Sequence, residues 1–410
     1  MYRGLPIITN QIPVEERNGI PHHLISCVDL ESEPWRIGIF KEKCLAVIRD
    51  IHLRGKLPIL VGGTHYYTQA ILFEDQLVGE NEQQQQLHDD AADNRWAVLD
   101  APTPVVLQKL KQVDPVMADR WHPNESRKIR RSLEIYLQTG KPASTVYAEQ
   151  STGQLRFRSL VLWVHTDKET LNSRLDDRVD SMMEHGLMPE AEKMLRHVRE
   201  RQSHGITFDE TRGVWISIGF KELKPYLTAR SADNRSQEEE LDRLKRSCVE
   251  SIKIATRQYA TSQVKWIRGK FCRELAESNM MKCLYLLDSS DVAAWKDRIT
   301  EPSESLVQSF LSNEPCSDPK LLSDSARNIL GAKEAQLSTV SSDLPKCIAC
   351  DICHKTMTDQ EQWKIHINGR AHKRAIKSKA RKRDRDKYLY GRCTEASNAE
   401  IEQGHQRGVA

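Results

Sequence analysis

The chain has 410 residues, with 61 Lys and Arg against 58 Asp and Glu, a formal net charge of +3, and 39% hydrophobic against 29% charged residues. This is the profile of a soluble globular protein of two or three domains, long enough to bury a large core. It excludes a fibrous architecture, and no run approaches the ~18 consecutive apolar residues that a membrane-spanning helix requires.

Met1 to Pro13 hold neither an apolar signal core nor an Arg/Ser-rich presequence. Secretion is therefore not expected, and cytoplasm, nucleus and mitochondrion are the candidate compartments. Ten scattered cysteines fit a reducing environment. Leu57 to Val61 is a short apolar run entering Gly62-Gly63-Thr64, and Tyr66, Tyr67, Ala70 and Ile71 then recur at helical spacing. The pattern predicts strand, glycine turn, helix. Gln76 to Asn94, with Gln83 to Gln86 in a row, lacks apolar periodicity and reads as an exposed excursion. A helix is expected from Asn124 as N-cap through Ile129, Leu133, Tyr136 and Leu137 to a stop at Gly140, with Arg127, Lys128, Arg130 and Arg131 on its other faces.

Ser159 to His165 reads as a buried strand, and Thr166-Asp167 can cap a helix whose stripe is Leu171, Leu175, Val179 and Met182. Arg174 and Arg178 lie four apart on that helix, so they share a face and can address one anion; pairing with Asp176, Asp177 or Asp180 is the plainer alternative. A long helix follows from about Glu238 to Arg268, with Leu241, Leu244, Cys248, Ile252, Ala255, Tyr259 and Trp266 on its apolar side. Alternating strands and helices indicate an α/β core on a mostly parallel sheet. Residues 287–345, rich in Ser, Asp, Pro and Glu, read as a flexible linker. Beyond it come a small module at 346–390 and a polar tail at 391–410.

In that module Cys350-x2-Cys353-x12-His366-x5-His372 has the spacing at which a β-hairpin knuckle and one helical face present two thiolates and two imidazoles to a tetrahedral Zn²⁺. A ββα unit this small has little core, so metal bonds would supply folding energy. Cys347 forms a second Cys-x2-Cys with Cys350; the later pair is preferred because the twelve-residue gap then fits. Residues 370–387 carry ten Lys/Arg against Asp384 and Asp386, a local +8 that leaves the other residues at −5. Such a block suits a phosphate polymer, although a solvated helix or a nuclear import signal has the same composition.

The string WKIHINGRAHKR (Trp363 to Arg374) resembles the matrin-type finger of RNA-associated proteins. Together, VGGTHYYTQAIL (Val61 to Leu72), NESRKIRRSLEIYLQTGKPAS (Asn124 to Ser144), RLDDRVDSMMEHGL (Arg174 to Leu187), SIGFKEL (Ser217 to Leu223) and TRQYATSQVKWIR (Thr256 to Arg268) resemble the tRNA dimethylallyltransferase family, in its eukaryotic branch with an appended finger. The resemblance covers nearly all of residues 1–285. It implies a P-loop-type parallel sheet core over 1–286 with a helical tRNA-binding insertion at about 78–150. The activity it implies is transfer of a dimethylallyl group from dimethylallyl diphosphate to N6 of adenosine 37 in the tRNA anticodon stem-loop, by a monomer, with Mg²⁺ accompanying the diphosphate. A departing diphosphate needs cations and oriented N–H donors rather than a covalent nucleophile. Gly62, Gly63 and Thr64 at a helix start can offer amides and a hydroxyl, or can simply be a tightly packed turn. The resemblance makes Arg178 the diphosphate-contacting arginine beside Arg174, with Thr64 and Arg178 as the catalytic pair. It places Arg127, Arg130 and Arg131 on the anticodon stem, and Arg257, Gln258, Gln263 and Lys265 beside the substrate channel.

One departure stands out. Members of the family begin with a P-loop, GxTxxGK[ST], followed by a DSxQ segment whose aspartate takes the N6 proton; neither occurs in these 410 residues. Met1-Tyr2-Arg3-Gly4-Leu5-Pro6 resembles the continuation of that segment. The expectation is that the core lacks its first strand, exposing a pairing edge and an apolar face, and that the polypeptide as written transfers no dimethylallyl group. The competing readings are a non-catalytic RNA-binding zinc-finger protein and, less well matched to the arginine-rich blocks, a P-loop nucleotide kinase relative.

Overall fold

The computed structural model describes residues 1–74, 94–149, 154–205, 210, 212–231, 238–337, 348–353, 355–357 and 360–379. In chain order the helices and strands are α1 (Ile37–Leu53), α2 (His65–Leu72), α3 (Thr103–Val113), α4 (Pro115–Arg120), α5 (Ser126–Thr139) and α6 (Ala143–Glu149), then β1 (Val161–His165). There follow α7 (Lys168–Glu184), α8 (Leu187–Ser203), α9 (Phe220–Ser231), α10 (Glu238–Trp266), α11 (Cys272–Glu277) and β2 (Leu284–Asp288). The chain ends in α12 (Glu301–Leu311), α13 (Asp324–Leu337), β3 (Ile348–Ala349), β4 (Thr356–Met357) and α14 (Gln360–Asn368). One compact unit comprises residues 1–77 and 151–340, and a second comprises 78–150 and 341–410.

In the first unit, β1 and β2 pair in parallel with Val161 opposite Leu284 and His165 opposite Asp288. The expected α/β architecture is present, but helices dominate it. Asp167 caps α7 by accepting the Glu169 and Thr170 N–H groups, as its position before the apolar stripe predicts. Two cores form. Val179 of α7, Leu187, Met194 and Val198 of α8, Phe220 and Leu223 of α9, and Ile252 of α10 pack with Leu5 and Ile8. Trp163, Leu284 and Leu286 of the sheet pack with Phe73, Phe271 and Leu275. The 29-residue α10 contributes to the first core and, through a π-helical turn at Ile267–Phe271, runs on into the second.

Two expectations change. Leu57 to Val61 forms no strand: among the described residues no segment pairs with it, and Ile59 and Val61 are 76% and 87% exposed. A run of β-forming residues without a neighbour cannot satisfy its backbone as a ladder. Residues 287–345 are not simply a linker, because α12 and α13 lie within them and Ala326 and Leu330 of α13 are 0% and 2% exposed in the second core. The segment has too few apolar residues for a core of its own, yet a few suffice when they dock on a core already built from Trp163, Phe271 and Leu284.

Within the second unit, the insertion packs α3, α4, α5 and α6 around Leu110, Met117, Ile129, Leu133, Ile135 and Ala143. α5 ends at Gly140 with φ +70°, as expected, but it is preceded by Glu125 rather than capped by Asn124, whose own N–H is turned to His122 Nδ1 at 3.2 Å. The finger is the expected ββα unit: β3 and β4 pair antiparallel, Ile348 opposite Met357, and α14 follows. The excursion at Gln83 to Gln86, Cys347, the basic residues from Arg381 onward and the tail lie outside the described residues.

Candidate functional site

The corner Gly62-Gly63-Thr64 leads into α2 and is exposed. A Cβ built on Gly62 or Gly63 would meet nothing within 4 Å, and neither residue has a positive φ. Tight packing therefore does not explain the two glycines; the open backbone leaves room for a ligand to approach it. Thr64 precedes α2 without capping it: its Oγ1 lies 2.7 Å from Tyr259 Oη, while the His65 N–H donates to Gln263 Oε1 at 2.9 Å. Trp266 Nε1 donates to Gln69 Oε1 at 2.8 Å. Tyr259, Gln263 and Trp266 are spaced four and three apart, so one face of α10 grips α2. Sequence reasoning placed Tyr259 and Trp266 on the apolar side; their spacing was the available signal, but polar gripping and apolar packing share it.

The arginines of α7 and α10 divide by what they touch. Arg174 spends both terminal nitrogens on the chain, donating to the Ser289 carbonyl at 2.9 Å, the Ser290 carbonyl at 3.0 Å and Thr166 Oγ1 at 3.3 Å. It ties α7 to the end of β2, its terminal nitrogens taken up by the protein itself. Arg257 is held by Asp176 and by Glu250 at 3.2 Å, which raise its pKa, and Lys253 pairs with Asp180 at 2.7 Å. With Asp176 and Asp180 paired to α10, Arg178 has no hydrogen-bonding or ionic partner among the described residues. It is solvent-accessible, yet desolvation by the surrounding protein lowers its pKa. A guanidinium in that condition remains charged and lacks a counter-charge, which an anionic ligand supplies.

Gln258 and Lys265 are exposed, without partners among the described residues. Gln263 instead serves α2. On α5, Arg130 donates to the Leu99 carbonyl at 3.1 Å and to Asp100 at 3.0 Å, Arg131 pairs with Glu134 at 2.9 Å, and Arg127 is exposed. Arg120 and Lys128 lie 5.0 and 4.9 Å from the Trp121 ring centroid, adding cations to the same region.

In the finger, the ligand atoms of Cys350, Cys353, His366 and His372 all lie within 4.8 Å of one another. Cys350 Sγ and Cys353 Sγ are 3.6 and 3.4 Å from His372 Nδ1. Tetrahedral Zn²⁺ with Zn–S and Zn–N bonds of ~2.3 and ~2.0 Å separates sulfur from nitrogen by about 3.6 Å, so the set fits the ion. His366 Nε2 is buried without a partner, and desolvation, then His372, lower the pKa of His366, favouring the neutral ring that binds metal. The preferred pair Cys350 and Cys353 is brought together with the two histidines, while Cys347 lies outside the described residues. Among the described residues this is the one cluster of three or more His, Cys, Asp or Glu suited to a metal, and no helix is long and apolar enough to cross a membrane.

Comparison with known proteins extends these observations. The IPP transferase family model matches residues 1–270, and that of a zinc-finger of C2H2 type matches 348–372. The tRNA dimethylallyltransferase of Schizosaccharomyces pombe is 34% identical over 94% of this chain and 89% of its own, and that of Saccharomyces cerevisiae 34% over 95% and 86%. The human tRNA dimethylallyltransferase is 32% identical over 93% of this chain and 79% of its own. A crystal structure of a eukaryotic dimethylallyltransferase acting on tRNA superposes with a TM-score of 0.76 at 32% identity, covering 94% of this chain and 90% of that one.

Proposed function

Because this chain belongs to the IPP transferase family of tRNA dimethylallyltransferases, we propose that the protein's reaction is transfer of a dimethylallyl group from dimethylallyl diphosphate to N6 of adenosine 37 in tRNA, to which these 410 residues, holding neither the P-loop nor the DSxQ aspartate, contribute the groups named below. N6 forms a bond to C1 of the dimethylallyl group, the C1–O bond breaks with its electron pair leaving on pyrophosphate, and N6 gives its proton to water, the DSxQ aspartate not occurring in these 410 residues. Arg178 receives the diphosphate: unlike Arg174 on the same helix it has no partner among the described residues, and unlike Lys168 it is desolvated by the surrounding protein, and that observation carries the assignment. The unobstructed amides of Gly62 and Gly63 and the Thr64 hydroxyl complete the anion's surroundings. Arg174 and Arg257 act by fixing α7 against β2 and α10. Mg²⁺, when bound with the diphosphate, would supply counter-charge to it; among the described residues no carboxylate cluster is built to hold the ion.

Binding of tRNA falls to several regions. Arg127, Arg130 and Arg131 on α5 meet the phosphates of the anticodon stem, Gln258 and Lys265 line the approach of an adenine drawn out of its stack, and the zinc-bearing finger adds its basic helix as a further phosphate contact. The protein acts as a monomer. Disrupting the gene tests the activity: N6-dimethylallyl-adenosine disappears from tRNA digests analysed by mass spectrometry. Persistence of the modified nucleoside at its former level overturns the proposal.

A further inference from the structure

We infer that Tyr259 is a positioning residue that holds the Thr64 hydroxyl in place for the diphosphate; the inference rests on the reading above, in which the glycine corner receives that anion. A threonine directly before a helix ordinarily accepts an N–H from the helix's first turn with its hydroxyl. Thr64 makes no such bond. The His65 amide is satisfied from outside, by Gln263 Oε1, and Thr64 Oγ1 instead meets Tyr259 Oη at 2.7 Å.

Gln263 satisfies the His65 amide at the start of α2, and Tyr259, one turn earlier on the same face of α10, takes hold of the Thr64 hydroxyl. Trp266 fixes α2 further along through Gln69, so the whole of α2 is registered against α10. A hydroxyl has one proton to give. If Thr64 donates it to a diphosphate oxygen, its bond with Tyr259 must run the other way, with the phenol donating and Thr64 accepting. The ligand thus sets the direction of a bond whose geometry exists before it binds. Without the phenol, the Thr64 hydroxyl can turn back to cap its own helix, a local alternative that competes with the ligand. One hydrogen bond then replaces another, and the folded state keeps its stability.

Isothermal titration of dimethylallyl diphosphate, and separately of inorganic pyrophosphate, into the full chain tests this with Tyr259→Phe in three backgrounds. With Thr64 or Thr64→Ser, which keeps the hydroxyl, Tyr259→Phe weakens binding roughly five- to tenfold, the value of one hydrogen bond, with Tm and anticodon stem-loop affinity unchanged. With Thr64→Val it has no further effect. Losses that add in the Thr64→Val background mean that the phenol touches the ligand itself and overturn the positioning role. A fall in Tm, or no effect of Tyr259→Phe in any background, overturns it as well. Failure of the unaltered chain to bind either diphosphate is a separate result that overturns the underlying diphosphate-site assignment and this role with it.

Discussion

Arg178→Gln separates a ligand-facing cation from one that holds the fold. A guanidinium about 4 Å from a diphosphate oxygen gains about 4 kcal/mol at an effective dielectric constant near 20. Arg178 is solvent-accessible, so water and salt reduce this to about 2–3 kcal/mol, equivalent to ~30- to 150-fold weaker binding of dimethylallyl diphosphate. Stability moves differently. Desolvation disfavours the charged form of Arg178, and no partner among the described residues repays it, so a neutral side chain leaves Tm unchanged or raises it. Arg174→Ala gives the opposite pattern: it removes the donors that satisfy the Ser289 and Ser290 carbonyls and costs about 2–3 kcal/mol of stability. Calorimetric titration at two salt concentrations together with thermal melts reads both effects. Unchanged affinity in Arg178→Gln, with binding lost and Tm retained in Arg174→Ala, would falsify the reasoning by exchanging the two roles.

The cap of α7 makes stability depend on pH. Hydrogen bonds from Thr170, with further contributions from Ser290 and the Glu169 amide, lower the Asp167 pKa from 3.8 to about 2. A folded-state pKa below the unfolded one means that the cap's contribution is complete above about pH 4 and is lost as pH falls through about 2. Asp167→Ala is therefore less stable than the parent at neutral pH, and denaturant titrations of the two converge below pH 2; a constant gap across that range contradicts the assignment. In the finger, Cys353→Ala lowers zinc content to near zero and weakens tRNA binding while the first unit keeps its melting transition. Full zinc occupancy in that variant, measured by atomic absorption, identifies Cys347 and Cys350 as the thiolate pair instead.

The features legible in the sequence are those decided within a few residues. Cysteine and histidine spacing foretells the cluster of Cys350, Cys353, His366 and His372, because a knuckle and a helix turn leave little choice of geometry. Asp167 ahead of an apolar stripe and Gly140 behind one mark helix ends for the same reason. Residues 287–345 look unstructured because composition averages away a few apolar positions, while Ala326 and Leu330 need only a surface made by Trp163 and Leu284, far off in the chain. Charge partners are harder still to read.

Within α7, composition offers Arg178 the acids Asp176, Asp177 and Asp180, but they lie one or two residues away and so point to other faces of the helix. The outcome turns on α10, which brings Arg257 to Asp176 and Lys253 to Asp180. Two acids on α7 are thereby neutralised by cations from another helix, and Arg178 is left without a partner among the described residues. The same helix places Gln263 against the His65 amide and Tyr259 against the Thr64 hydroxyl. Arg178 and Thr64 thus both owe their surroundings to α10, which engages two acids of α7 and holds the start of α2. The site's chemistry therefore depends on the docking of one long helix as much as on the residues that meet the ligand.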